Sequence, residues 1–138
     1  MFILLGLFLI AVVYLVINLS KGNTSFFGRA ASRGVFSSAG SYVFASSLSA
    51  APGGEKIRVT AFVLDGEGRG ISDKSVSLGC RDEGLCQNAK INFTPLQPVS
   101  DGFGQVIFEV SSPIAGKFEV EARTEEAPIA QTVTLVFQ

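Results

Sequence analysis

Cys80 and Cys86 are the two cysteines of the chain, and their type and spacing admit three chemistries. They can close a disulfide across a short step containing Gly84, remain as buried thiols, or offer two thiolates to a metal. A Cys-x5-Cys pair without a further cysteine or any histidine cannot complete a tetrahedral zinc site within one chain. An even cysteine count at close spacing favours pairing in an exported domain, so a Cys80–Cys86 disulfide is the expectation.

Other chemistry-bearing groups are sparse. Asp65, Glu67 and Asp73 gather around one loop, and Asp82 with Glu83 around another, which are oxygen ligands of the kind calcium takes. Their spacing lacks the density of a known calcium loop, so turn chemistry is expected, with no metal and no cofactor. Asn92-Phe93-Thr94 fits the acceptor pattern for N-glycosylation, a triplet that also arises by chance and is read so at this level. Serines are numerous, but no histidine and no Gly-x-Ser-x-Gly turn is present to activate one. No catalytic residue and no enzyme activity are expected.

The elements that must carry these groups divide the 138 residues unevenly. Phe2 to Ile17 is an unbroken apolar run reaching Leu19 with only Asn18 interrupting, long enough as a helix for about 27 Å of bilayer core. It lacks a charged flank before it and a small-x-small site just after it, so residues 1–19 read as a transmembrane helix rather than a cleaved signal. Residues 20–54 contain 21 Ser, Gly or Ala in 35, the composition of a tether. Within it Tyr42-Val43-Phe44-Ala45 has strand propensity.

From Glu55 onward the hydrophobic period is two. Ile57, Val59, Ala61 and Val63 alternate with Arg58 and Thr60, as in a strand with one face in a core. Further strands are expected over 75–80, 89–93, 105–110, 118–123 and 131–137, with no helix after residue 55 and an irregular or edge crossing at Pro95 and Pro98. The expected core also takes Val76, Leu78, Val106, Phe108, Val110, Phe118, Val120, Val133 and Leu135. Arg58, Thr60, Glu119 and Glu121 fall on outward positions, where cross-strand pairing on a solvated face is expected. Short strands at this spacing mean a sandwich or barrel.

Four pieces from Lys56 to Phe137 resemble the bacterial Ig-like domains of group 1, the modules repeated in invasin and intimin adhesins. The first is the strand Ile57 to Leu64 running into Asp65-Gly66-Glu67-Gly68, Gly70-Ile71 and Val76-Ser77-Leu78. The second, Ser100-Asp101-Gly102-Phe103-Gly104-Gln105-Val106, is similar to the family's Thr-Asp-x-x-Gly hairpin. Ala115-Gly116-Lys117-Phe118-Glu119-Val120-Glu121-Ala122 is similar to its Ala-Gly-x-Tyr-x-Val-x-Ala strand, and Thr132 to Phe137 to its closing strand. The resemblance implies an all-β, Ig-like sandwich of about seven strands over residues 55–138. The chain departs from the family in carrying one copy, an N-terminal apolar segment and the cysteine pair.

Together these readings describe a non-catalytic, membrane-anchored cell-envelope protein that displays one Ig-like domain for structural or adhesive contact. The lipid bilayer would be met through residues 2–19, and the other partner would be a protein or a further copy of the chain. The alternative is a pilin-like filament subunit whose apolar helices bundle in a filament core. Residues 1–50 carry +3 and residues 51–138 carry −4 of formal charge, a balance that argues against nucleic acid. Lys21, Arg29 and Arg33 follow the apolar run, and the positive-inside rule alone would put the sandwich in the cytoplasm. The family resemblance implies the opposite, and extracytoplasmic placement is the expectation. The full chain should stay with membranes through an alkaline carbonate wash, whereas a chain lacking residues 1–20 should be released.

Overall fold

The computed structural model describes residues 34–138, with Gly6 before them. The expected transmembrane helix and most of the expected tether lie outside the described residues. Among the described residues no helix is long and apolar enough to cross a membrane.

Eight strands and one short helix follow in order: β1 (Tyr42–Ala45), β2 (Ser49–Ala50), β3 (Ile57–Phe62), β4 (Val76–Cys80), α1 (Glu83–Ala89), β5 (Asn92–Gln97), β6 (Gln105–Ser111), β7 (Gly116–Thr124) and β8 (Val133–Phe137). They form two four-stranded sheets, β1-β3-β6-β5 and β2-β8-β7-β4, so the fold is an all-β sandwich. The alternating residues of β3 explain why it sits inside a sheet. Val59 lies opposite Ala45 on one side and Phe108 on the other, and Ala61 lies opposite Val43 and Val106. In the second sheet Phe118 meets Leu135 and Val120 meets Val133. The inner faces bury Ile57, Val59, Val106, Val110, Val120, Leu135 and Phe137 almost completely. Each such side chain contributes roughly 1.5–3 kcal/mol by leaving water.

Three expectations need correction. The segment read as tether contributes β1 and β2: Val43 is buried, β1 pairs antiparallel with β3, and Ser49–Ala50 pair parallel with Val136–Phe137. The strand expected from residue 89 begins instead at Asn92, because Asp82 caps α1 by accepting from the Leu85 N–H at 3.1 Å and Lys90 ends it in the left-handed region. Leu78, expected in the core, is only half-buried, since β4 is the last strand of its sheet. Pro95 does fall on an edge strand, with a register shift between Pro95 and Gln97, where its missing N–H costs no ladder bond.

The β3 end of the sandwich is closed by two loops brought into backbone contact. Val63 donates to the Gly104 carbonyl at 2.8 Å and accepts from the Ile71 N–H at 2.9 Å. Gly104 has φ +78, and a β-carbon there would lie 2.2 Å from the Val63 carbonyl oxygen; one at Gly70 would lie 2.2 Å from the backbone of Phe103. Asp101 folds the second loop by accepting from the N–H groups of Phe103 and Gln105 at 2.9 and 3.0 Å. Burial pushes its carboxyl up, but these backbone donors outweigh burial and hold it below its ordinary value. The turn therefore keeps that stabilisation above the ordinary carboxylate pKa and loses it as pH falls through the lowered one. Asp65 does the same for the first loop, accepting from Glu67 and Arg69 N–H groups and pairing with the Arg69 guanidinium at 3.0 Å.

Alanine at Gly70 or Gly104 should therefore cost about 3 kcal/mol or more, because backbone on both sides must move. Alanine at Gly79 of β4, where no atom lies within 4 Å of an added β-carbon, should leave stability unchanged or raise it by about 0.5 kcal/mol. Urea unfolding of residues 34–138 measures all three.

Candidate interaction surface

The outward face of the first sheet departs from a solvated polar face. Tyr42 and Phe44 of β1 point away from the core and flank Phe62 of β3, with ring centroids 5.1 and 6.1 Å from it and small interplanar angles. Register explains the cluster, since Tyr42 pairs with Phe62 and Phe44 with Thr60. Tyr42 and Phe44 remain 39% and 46% exposed, so the cluster is an open apolar surface rather than a second core. Thr60, expected to be solvated, is 5% exposed beneath these rings. Ile107 of β6 lies opposite Thr60 and extends the patch across the sheet.

One edge of this patch carries charge. Arg58 lies two residues along β3 from Thr60 on the same face, opposite Glu109 of β6. Glu109 pairs instead with Lys56 at 3.0 Å, and the Arg58 guanidinium has no ion-pair partner among the described residues. Exposed stacked aromatics beside an unpaired guanidinium are the composition of binding hot spots rather than of a plain sheet surface.

The outward face of the second sheet behaves as expected for a solvated one. Glu121 pairs with Arg123 of its own strand at 3.2 Å, and Glu119 with Arg81 at 2.9 Å. The Thr132 hydroxyl, donating at 2.7 Å, and the Arg81 guanidinium hold the Glu119 carboxyl below its ordinary value. A shallow cleft of about 530 Å³ beside α1 is lined by this pair together with Lys117, Leu85 and Thr134. Its charged pair is already satisfied, and it holds no nucleophile matched with a base.

The structure pairs Cys80, at the end of β4, with Cys86 of α1 as a disulfide with Cα atoms 6.1 Å apart, inside the usual range. Both are 7% exposed, and the bond holds α1 against the edge of the second sheet. The acidic groups weighed as calcium ligands do not converge. Asp65 and Glu67 engage Arg69, the Asp73 carboxylate accepts from Ser72, and Asp82 caps α1. Among the described residues no group of three or more His, Cys, Asp or Glu is placed to share a metal ion.

Comparison with known proteins agrees on the fold. No family model and no curated protein matches the chain. Among solved structures, invasin, described as a bacterial integrin-binding protein, superposes with a TM-score of 0.62 at 17% identity, over 75% of this chain and 20% of that one. The Escherichia coli adhesin FdeC gives 0.56 at 21% identity, over 75% of this chain and 32% of that one. A C-terminal fragment of intimin in complex with the translocated intimin receptor's intimin-binding domain gives 0.51 at 20%, over 69% and 31%. The fold is thus that of the Ig-like modules of these bacterial adhesins. This chain spans between a fifth and a third of the length of those proteins. The filamin domain of Lin-41, at 14% identity and a TM-score of 0.51, has a related sandwich, so the likeness extends beyond adhesins.

Replacing Cys80 and Cys86 together by alanine should lower stability by about 2 kcal/mol, the chain-entropy value for so short a closed loop, and leave the β-sheet spectrum intact. Faster amide exchange confined to residues 83–91 would identify α1 as the element released.

Proposed function

We propose that this chain is a non-catalytic cell-envelope protein that displays its Ig-like sandwich outside the membrane and binds another protein there. Residues 1–19 act as the membrane anchor in this reading, and the residues between them and Gly34 as the connection. The observation that carries the reading is the exposed stack of Tyr42, Phe62 and Phe44 with Arg58 at its edge. Rigid aromatic rings bury much apolar area at little entropic cost, and a guanidinium without an internal partner is free to meet a carboxylate. The adhesin neighbours support a protein partner by analogy of fold. Invasin is described as integrin-binding, and the intimin fragment is held by a protein receptor.

Parallel aromatic planes packed against one another leave little flat ring face for a sugar, which favours a protein surface over a carbohydrate. The test is site-specific photocrosslinking in intact cells from position 44, with position 121 on the opposite sheet as control. A discrete protein adduct from position 44, reduced at least tenfold by Tyr42→Ala with Arg58→Glu and absent from position 121, is expected. Equal crosslinking from both sheets would overturn the assignment of the surface, and protection of the sandwich from external protease would overturn its display outside the cell.

A further inference from the structure

We propose that Asn92 is an N-glycosylation site and that its glycan shields the unprotected half of an edge strand. The proposal rests on the extracytoplasmic placement above. The triplet Asn92-Phe93-Thr94 by itself is weak, and the structure supplies what it lacks. Asn92 opens β5, an edge strand paired only with β6, and its side chain is exposed with no hydrogen-bond partner among the described residues. Strand alternation puts Asn92 and Thr94 on the same outward face, and Phe93 between them packs against the core. The amide and the hydroxyl that such a triplet must present together are thus on one accessible side, at the margin of the molecule.

The composition of the strand gives the glycan a role. Open edges invite pairing with other chains unless proline, charge or a bulge blocks them. The second half of β5 has Pro95 and a register shift before Gln97, whose side chain donates to the Gln105 carbonyl at 2.8 Å. Asn92 to Thr94 has none of these devices. A bulky polar group on Asn92 would supply one. The sequence adds an independent hint. Asparagine occurs four times, at 18, 23, 88 and 92, and three of the four head an Asn-x-Ser or Asn-x-Thr triplet. With 21 Ser and Thr in 138 residues, fewer than one such triplet is expected.

The reaction needs a membrane glycosyltransferase and a lipid-phosphate-linked oligosaccharide. The Asn92 amide nitrogen attacks the anomeric carbon of the sugar. A carbon–nitrogen bond forms, the bond from that carbon to the phosphate oxygen breaks, the lipid phosphate leaves, and the amide gives one proton to a base of the enzyme. No electron changes hands.

The full chain, purified from membranes of the cells that make it, is digested with trypsin, and the peptide from Ile91 to Lys117 is weighed. Expected is a mass increment of whole sugar residues on Asn92, lost in Asn92→Gln and Thr94→Ala but retained in Thr94→Ser. A peptide of unmodified mass from the native protein overturns the proposal, as does an increment that survives Asn92→Gln. External protease applied to the same cells separates the two failures. An unmodified peptide with a cleavable sandwich sinks the glycan alone, and an unmodified peptide with a protected sandwich sinks the extracytoplasmic placement as well.

Discussion

The contact between the Gly70 and Gly104 loops at Val63 fixes how the first sheet is assembled. β3 leaves the sheet at Phe62, and the next residue is held on both sides, by Gly104 beyond β3 and by Ile71 after the loop. Because the loop ahead of β6 is bonded directly to the end of β3, the register of Ala61 against Val106 is set before any side chain packs. A one-residue slip would turn every buried residue of β6 outward. The two aspartates act in the same direction, each folding its loop by offering carboxylate oxygens to backbone donors that would otherwise be left to water. Small side chains and short polar ones thus do the positioning, and the large apolar ones fill the space it creates.

The same constraint places the candidate interaction surface. Val43 enters the core opposite Ala61, and this inward anchor forces Tyr42 and Phe44 to the other side of β1. Phe62, the last residue of β3 before the locked Val63, then stands between them. The stack is therefore a by-product of register that the sequence has furnished with rings where a hydroxyl or a charge would satisfy the fold equally. Its exposure is the reason to assign it to a partner and not to the core.

How much of this was readable before the structure depended on how far each element's sequence repeats its own period. β3, β6, β7 and β8 alternate cleanly, and the side chains expected inside from these strands are inside. β1 was hard to separate from a tether because four residues flanked by Ser, Gly and Ala give too short a window. α1 has only Cys86 and Ala89 buried, so no helical stripe exists to be seen, and only the cap at Asp82 and the left-handed Lys90 define it. Ile71 and Ile129 are core residues contributed by loops, where periodicity has nothing to say. The aromatic surface was missed for a different reason. Alternation marks Thr60 as outward, but outward is not the same as wet, and the neighbours that cover it come from another strand through register.

The split of the first strand between two sheets has a mechanical meaning. The chain enters β1 beside the Asp65 loop, where Ser37 bonds Leu64, and Gln138 is held at the opposite end, where its N–H bonds the Ala50 carbonyl. A pull applied between these two points would run along the strands. The β1–β3 and β2–β8 ladders would then be loaded together, in shear, with their hydrogen bonds resisting side by side instead of opening one after another. A module tethered on the N-terminal side and gripped elsewhere would resist tension through its first strand, and the force it bears would be divided between both sheets.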